Sequence, residues 1–121
     1  MEKHNPALIQ VDDLSDAEQL IATIGCDEKS IDIMAPKAIS KVIKFENVLL
    51  QDAIIIKQDM LSIGGEVAIP KNAYKLQMQK GDILVIGTVK QLHDLVGKLN
   101  RHYPRIRSIS HELASLLKNI K

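Results

Sequence analysis

Apolar residues recur along this chain with two different periods, and the changes between them mark the elements. Pro6-Ala-Leu-Ile-Gln-Val11 is a short apolar run closed by Asp12-Asp13, which predicts an edge strand. Ala17, Leu20, Ile21 and Ile24 then share one helical face; Ser15-Asp-Ala-Glu18 has the form of a capping box, and Gly25 supplies the stop. Asp27 to Met34 reads as a second short helix, ended by Pro36. Lys41-Val-Ile-Lys-Phe-Glu46 mixes polar and apolar residues around Val42 and Ile43, as a strand does. Leu49 to Ile63 is too long for an ordinary strand, and Leu50, Ala53, Ile54, Lys57, Met60 and Leu61 make a helical stripe that ends at Gly64-Gly65. One of these two glycines is expected at positive φ, because a strand, Glu66 to Pro70, follows at once.

After the polar stretch Lys71 to Gln79, Ile83-Leu-Val-Ile86 is the strongest strand signal, apolar throughout and so expected at the centre of a sheet. Thr88 and Gln91 form a second capping box, opening a helix with Val89, Leu92, Val96 and Leu99 on one face. A last helix follows Pro104, with Ile109, Leu113, Leu116, Leu117 and Ile120 on its buried side. The order β-α-α-β-α-β-β-α-α predicts one α+β domain over residues 1–121. Its helices pack on a three- or four-stranded sheet, and residues 41–100 form a partly ferredoxin-like split β-α-β arrangement. The expected core is Leu20, Ile24, Val42, Ile54, Leu61, Val67, Leu84, Ile86, Leu92, Val96, Leu113 and Leu117.

Composition narrows this picture. With 45% hydrophobic and 26% charged residues the chain is an ordinary globular sequence, and size scaling for 13.5 kDa gives a folded surface of about 6,500 Å². Aromatic residues are limited to Phe45, Tyr74 and Tyr103, which removes the stacking platforms that single-strand nucleic-acid binders use. Residues 1–60 hold 6 basic and 11 acidic side chains, while residues 61–121 hold 10 basic and 4 acidic. The simplest reading of that −5/+6 split is that the halves face each other within one fold. A single cysteine, Cys26, and the lack of a signal-like or membrane-length apolar segment set the expectation of a reducing, cytoplasmic setting.

Candidate chemistry is sparse. Gly64-Gly65 places backbone N–H groups where a ligand could approach, with Lys57, Gln58 and Glu66 as polar neighbours; against this stands the ordinary role of such a pair as a helix stop. Gly87-Thr88 begins a helix whose N-terminus, with Lys90 beside it, would suit an anion, although the capping box competes for the same N–H groups. His4, His93, His102 and His111 are scattered without ligand spacing, so no metal is expected, and no cofactor. Lys98, Arg101, His102, Arg105 and Arg107 form an acid-free basic run that would suit phosphate backbones, but no nucleic-acid motif accompanies it.

Two strings can be named together: Ala53-Ile-Ile-Ile-Lys-Gln-Asp-Met-Leu-Ser-Ile-Gly-Gly-Glu-Val-Ala68 and Asp82-Ile-Leu-Val-Ile-Gly-Thr88. With Ile24-Gly25, Asp27, Ile33-Met-Ala-Pro-Lys37, Val42-Ile-Lys44, Gln91, Leu95 and Lys98-Leu99, they resemble the accessory region preceding the barrel in a subset of bacterial and archaeal dihydropteroate synthases, from about Ser15 to Leu117. The enzyme's substrates belong to a (β/α)₈ barrel of about 250 residues, which 121 residues cannot form, so none of its catalytic residues carries over. The resemblance implies a free-standing, non-catalytic binding or interaction module linked to pterin and folate metabolism. The alternative is a small pterin- or phosphate-binding protein, or enzyme, using the Gly64-Gly65 and Gly87-Thr88 loops. A second copy of the chain or a dihydropteroate synthase-type barrel protein is the expected partner and a small molecule a further one; nucleic acid and membrane are not expected.

Overall fold

A computed structural model describes residues 2–121. The elements are α1 (Leu14–Ala22), α2 (Glu28–Met34), a 3₁₀ turn (Ala35–Lys37), β1 (Ser40–Leu49), α3 (Leu50–Ile63), β2 (Glu66–Ala68), β3 (Lys80–Thr88), α4 (Val89–Leu99) and α5 (Pro104–Leu117). β3 lies between β1 and β2 and is antiparallel to both, so β1 and β2 run parallel with α3 as their crossover. This is an α+β fold whose sheet has three strands. The β1-α3-β2-β3-α4 portion matches the split β-α-β expectation, with a helix, α5, where a β-α-β-β-α-β chain would place its last strand.

Local chemistry accounts for the boundaries. Leu49 cannot cap α3 with its side chain; instead the Leu50 and Gln51 N–H groups donate to the carbonyls of Gln79 and Gln77, at 2.8 and 3.0 Å. Gly64 ends α3 at φ +101°, the expected left-handed stop. The Thr88–Gln91 capping box is present, with both reciprocal hydrogen bonds made. At α1 the cap is Asp13, whose carboxylate accepts from the Asp16 N–H at 2.8 Å, so the cap lies two residues before the expected Ser15. Pro6 to Val11 forms no strand: it has no regular secondary structure and joins no ladder.

The helices cover one face of the sheet only. Along β3, Ile83 and Val85 point into the core, with Ile83 1% exposed, whereas Leu84 at 38% and Ile86 at 37% look out from the uncovered face. β1 obeys the same alternation, Ile43 inward and Val42 outward at 62% exposure. A bulge between Phe45 and Val48, where Asn47 takes φ +56°, shifts the parity by one residue and turns Val48 inward. Of the expected core, Val67, Leu92, Leu113 and Leu117 are buried and Ile54 and Val96 pack against it. Leu20, Ile24, Val42, Leu61, Leu84 and Ile86 instead lie at the surface, and Ile43, Leu50, Ile56, Met60, Ile83, Val85, Leu95, Leu99 and Ile106 fill the interior. Leu116 is likewise exposed, and Ile106 takes the core position on α5. A smaller cluster of Ala17, Ala35, Ile39 and Val89 fastens α1 and the 3₁₀ turn to the start of α4.

The parity makes a direct test. Ile83→Ala is expected to cost about 2–5 kcal/mol of unfolding free energy, against less than about 1 kcal/mol for Leu84→Ala, in urea denaturation of the two variants side by side. Equal losses would show that both faces of β3 are packed.

Candidate functional site

The glycine loops meet in space. Gly65, the β3 residue Gly87 and the α4 residue Gln91 surround the buried Met60 side chain, and a Cβ on either glycine would run into its methyl end. The small residues therefore let α3 lie close to the end of β3. Gln91 Oε1 accepts from the Thr88 N–H at 2.9 Å, Thr88 Oγ1 accepts from the Gln91 N–H at 3.1 Å, and the Val89 N–H donates to the Ile39 carbonyl at 2.9 Å. The first N–H groups of α4 are thus largely engaged within the protein. Lys90 pairs with Asp94 on its own helix, at 2.6 Å, and Gln58 stands exposed on α3.

Lys57 and Glu66 close one border of the sheet. The Glu66 carboxylate accepts from the Val67 N–H at 2.8 Å, and Lys57 Nζ donates to the Val67 carbonyl at 2.7 Å and to the Glu66 carboxylate at 3.0 Å. The backbone N–H of Val67, then the Lys57 ammonium, hold the Glu66 carboxyl below its ordinary range. The outward backbone groups of β2 are in this way taken by side chains.

A polar cluster around one buried carboxylate was not foreseen, and of its members only Arg105 stood among the sequence candidates, in the basic run. Asp52, in the first turn of α3 and 1% exposed, accepts two hydrogen bonds from the Arg105 guanidinium, at 2.7 and 2.9 Å, and a third from the Tyr103 hydroxyl. Arg105 lies over the Tyr103 ring, 4.8 Å from its centroid. Burial would raise the Asp52 carboxyl pKa, but the Arg105 and Tyr103 hydrogen bonds and the guanidinium charge more than offset it, and the net direction is down. Burial and the Asp52 charge push the Tyr103 hydroxyl up. Further along the same junction, His102 bonds Asp59 at 2.8 Å and Lys98 bonds Ser62. Three members of the basic run thus face α3, which is how the acidic and basic halves meet. The signal in the sequence was an aspartate set among the apolar residues of a helix, matched to a basic run about fifty residues away.

Beside Asp52 opens a groove of about 560 Å³ between β1 and α5, lined by Phe45, Glu46, Lys80, Arg105, Ile109 and Glu112 among others. Among the described residues no three His, Cys, Asp or Glu side chains gather as a metal set, and no helix is long and apolar enough to cross a membrane. The cluster is salt-bridge chemistry between α3 and the start of α5, and the groove beside it is an open surface.

Comparison with known proteins agrees with the family resemblance in its coarser form. The chain is 30% identical over 95 residues, 78% of its length, to a bifunctional dihydropteroate synthase/dihydropteroate reductase of Helicobacter pylori, of which the match spans 25%. The chain is therefore related to a region of a dihydropteroate synthase protein, about a quarter of that relative's length. No family profile and no solved structure matches.

Asp52→Asn is expected to cost about 2–4 kcal/mol at pH 7, since it leaves the Arg105 and Tyr103 donors without their charged acceptor. Because the folded-state pKa is depressed, that contribution is complete above the ordinary carboxyl value of about 3.9 and is lost as pH falls through the lower folded value. Urea midpoints of wild type and variant should therefore converge below about pH 4. A gap unchanged down to pH 3 would contradict an ionised Asp52.

Proposed function

We propose that this protein serves folate biosynthesis as a non-catalytic module that binds a dihydropteroate synthase-type barrel protein. The observation that carries this reading is the sequence relationship to a quarter of a bifunctional synthase/reductase. About 285 residues of that relative lie outside the match, room for a barrel of about 250 residues. The geometry supports a binding role. The polar clusters are closed upon themselves, Asp52 with Arg105 and Tyr103, Lys57 with Glu66, and Gln91 with Thr88, while Val42, Leu84 and Ile86 present an uncovered apolar patch on the sheet. Such a patch is the usual mark of a contact surface.

The test is titration of the protein onto a barrel-only dihydropteroate synthase by calorimetry. Binding at micromolar or tighter affinity is expected, and Leu84→Asp, which changes the uncovered face and spares the core, should weaken it at least tenfold. No heat and no co-elution at about 100 µM would overturn the reading.

A second reading has its own observation, the reductase named in the relative. A synthase barrel accounts for one of the two named activities, so the matched quarter is a candidate for a share in the other. Incubation with dihydropteroate and a reduced nicotinamide or reduced flavin, the two common hydride donors, separates the readings. Donor oxidation that requires dihydropteroate would favour the reductase role over the non-catalytic one.

A further inference from the structure

Two unfinished pieces of this fold match each other. The first is the free border of β1. Val67 turns its backbone groups away from β3, so Glu66 and Ala68 make the β2–β3 ladder bonds with Ile86 and Leu84. Ile83, Val85 and Gly87 must then bond β1, through Phe45, Ile43 and Lys41. The Ile39 carbonyl, which accepts from the Val89 N–H, continues this odd-numbered set. Ser40, Val42 and Lys44 consequently aim their N–H and C=O groups outward, and among the described residues none of these groups has a hydrogen-bond partner. The β2 border spans three residues and is sealed by Lys57 and Glu66; the β1 border has six regular residues before its bulge and no such seal.

The second piece is the segment Pro6–Val11. It is mainly apolar and belongs to no helix or strand, with Leu8 104% and Ile9 60% exposed, and residues 3–11 make no backbone hydrogen bond among the described residues. It does not line the groove of its own molecule. Six extended residues span about 20 Å, the length of Ser40–Phe45. As an added strand the segment would turn Ala7 and Ile9 to one side, toward Phe45, Ile109 and Leu116 of the groove, while Val11 at its end is partly buried against the Ala17–Val89 cluster of its own chain. Leu8 falls on the other side, level with the uncovered Val42, Leu84 and Ile86. Pro6, without an N–H, suits the first position of an added strand.

The exposed surface is 8233 Å², about 1,700 Å² more than size scaling gives for a monomer of this mass. A standard interface takes about 800 Å² from each partner. We propose that residues 6–11 of one copy add as a fourth strand to the β1 border of a second copy, the two chains exchanging segments in a two-fold dimer. This inference is independent of the function proposed above.

Sedimentation equilibrium should find the full chain dimeric at micromolar concentration. It should become monomeric, with unchanged circular dichroism, when residues 6–11 are replaced by Gly and Ser. Val42→Pro removes an outward N–H without touching a β3 ladder bond and should also give monomers. For a readout independent of variant folding, Leu8→Cys and Val42→Cys proteins, each also carrying Cys26→Ser, are mixed and mildly oxidised. A disulfide joining one copy of each is expected. A full chain monomeric up to about 100 µM would overturn the proposal, as would a dimer that survives segment replacement or forms no mixed disulfide.

Discussion

Asp52 is the point on which the helical layer hangs. A carboxylate taken out of water loses its hydration, and hydrogen-bond donors, at least one of them charged, must replace it. Here the set comes from Tyr103, which precedes α5, and Arg105 in its first turn, so satisfying the charge fixes where the start of α5 must lie. His102 on Asp59 and Lys98 on Ser62 extend the same seam about two and three turns along α3. Apolar packing of Ile56, Leu92, Leu95, Leu99, Ile106 and Leu113 supplies most of the driving force but has little directional preference. The Asp52 cluster supplies the direction, and this explains why a largely aliphatic interior with one core-packed phenylalanine, Phe45, still has a defined helix arrangement.

That placement has a consequence for the sheet. α5 is held at its start by Arg105, in its middle by the Ser110 hydroxyl donating to the Val96 carbonyl at 2.9 Å, and just past its end by the Leu14 N–H bonding the Lys121 carbonyl at 3.0 Å. A helix tied at these points packs on α4 and stands off β1, and the groove is the space between them. In a complete β-α-β-β-α-β chain a final strand would occupy the β1 border. Here the corresponding length of chain is spent on a helix that closes the interior, and the border is left as it is.

The sequence disclosed what depends on neighbours along the chain. Gly64 as a helix stop, Thr88 with Gln91 as a capping box and the start of α5 at Pro104 are each settled within one turn, and the structure reproduces them. The inward side of β3 was hidden, because Ile83-Leu-Val-Ile86 is apolar at every position and carries no polar residue to mark the outer face. Only pairing with β1 and β2 decides it, and Leu84 and Ile86 fell outside for that reason. The charge split between the halves was visible, and Asp52–Arg105 and Asp59–His102 join an acid of the first half to a base of the second, whereas Lys57–Glu66 and Lys44–Asp82 join the halves with the opposite polarity. Which carboxylate would be buried was not visible, since burial depends on contacts between residues more than fifty positions apart.

The polar residues around the two glycine loops follow the same logic at the opposite side of the sheet. A strand border three residues long is weakly held, and a free Val67 N–H and C=O would invite pairing with any extended chain. Glu66 and Lys57 answer both groups at once, and their own ion pair keeps the two side chains in place. An exposed pair of this kind adds little to stability. Its effect is selective: it denies one border to strangers while the other stays available, so a strand added to this sheet has one place to go.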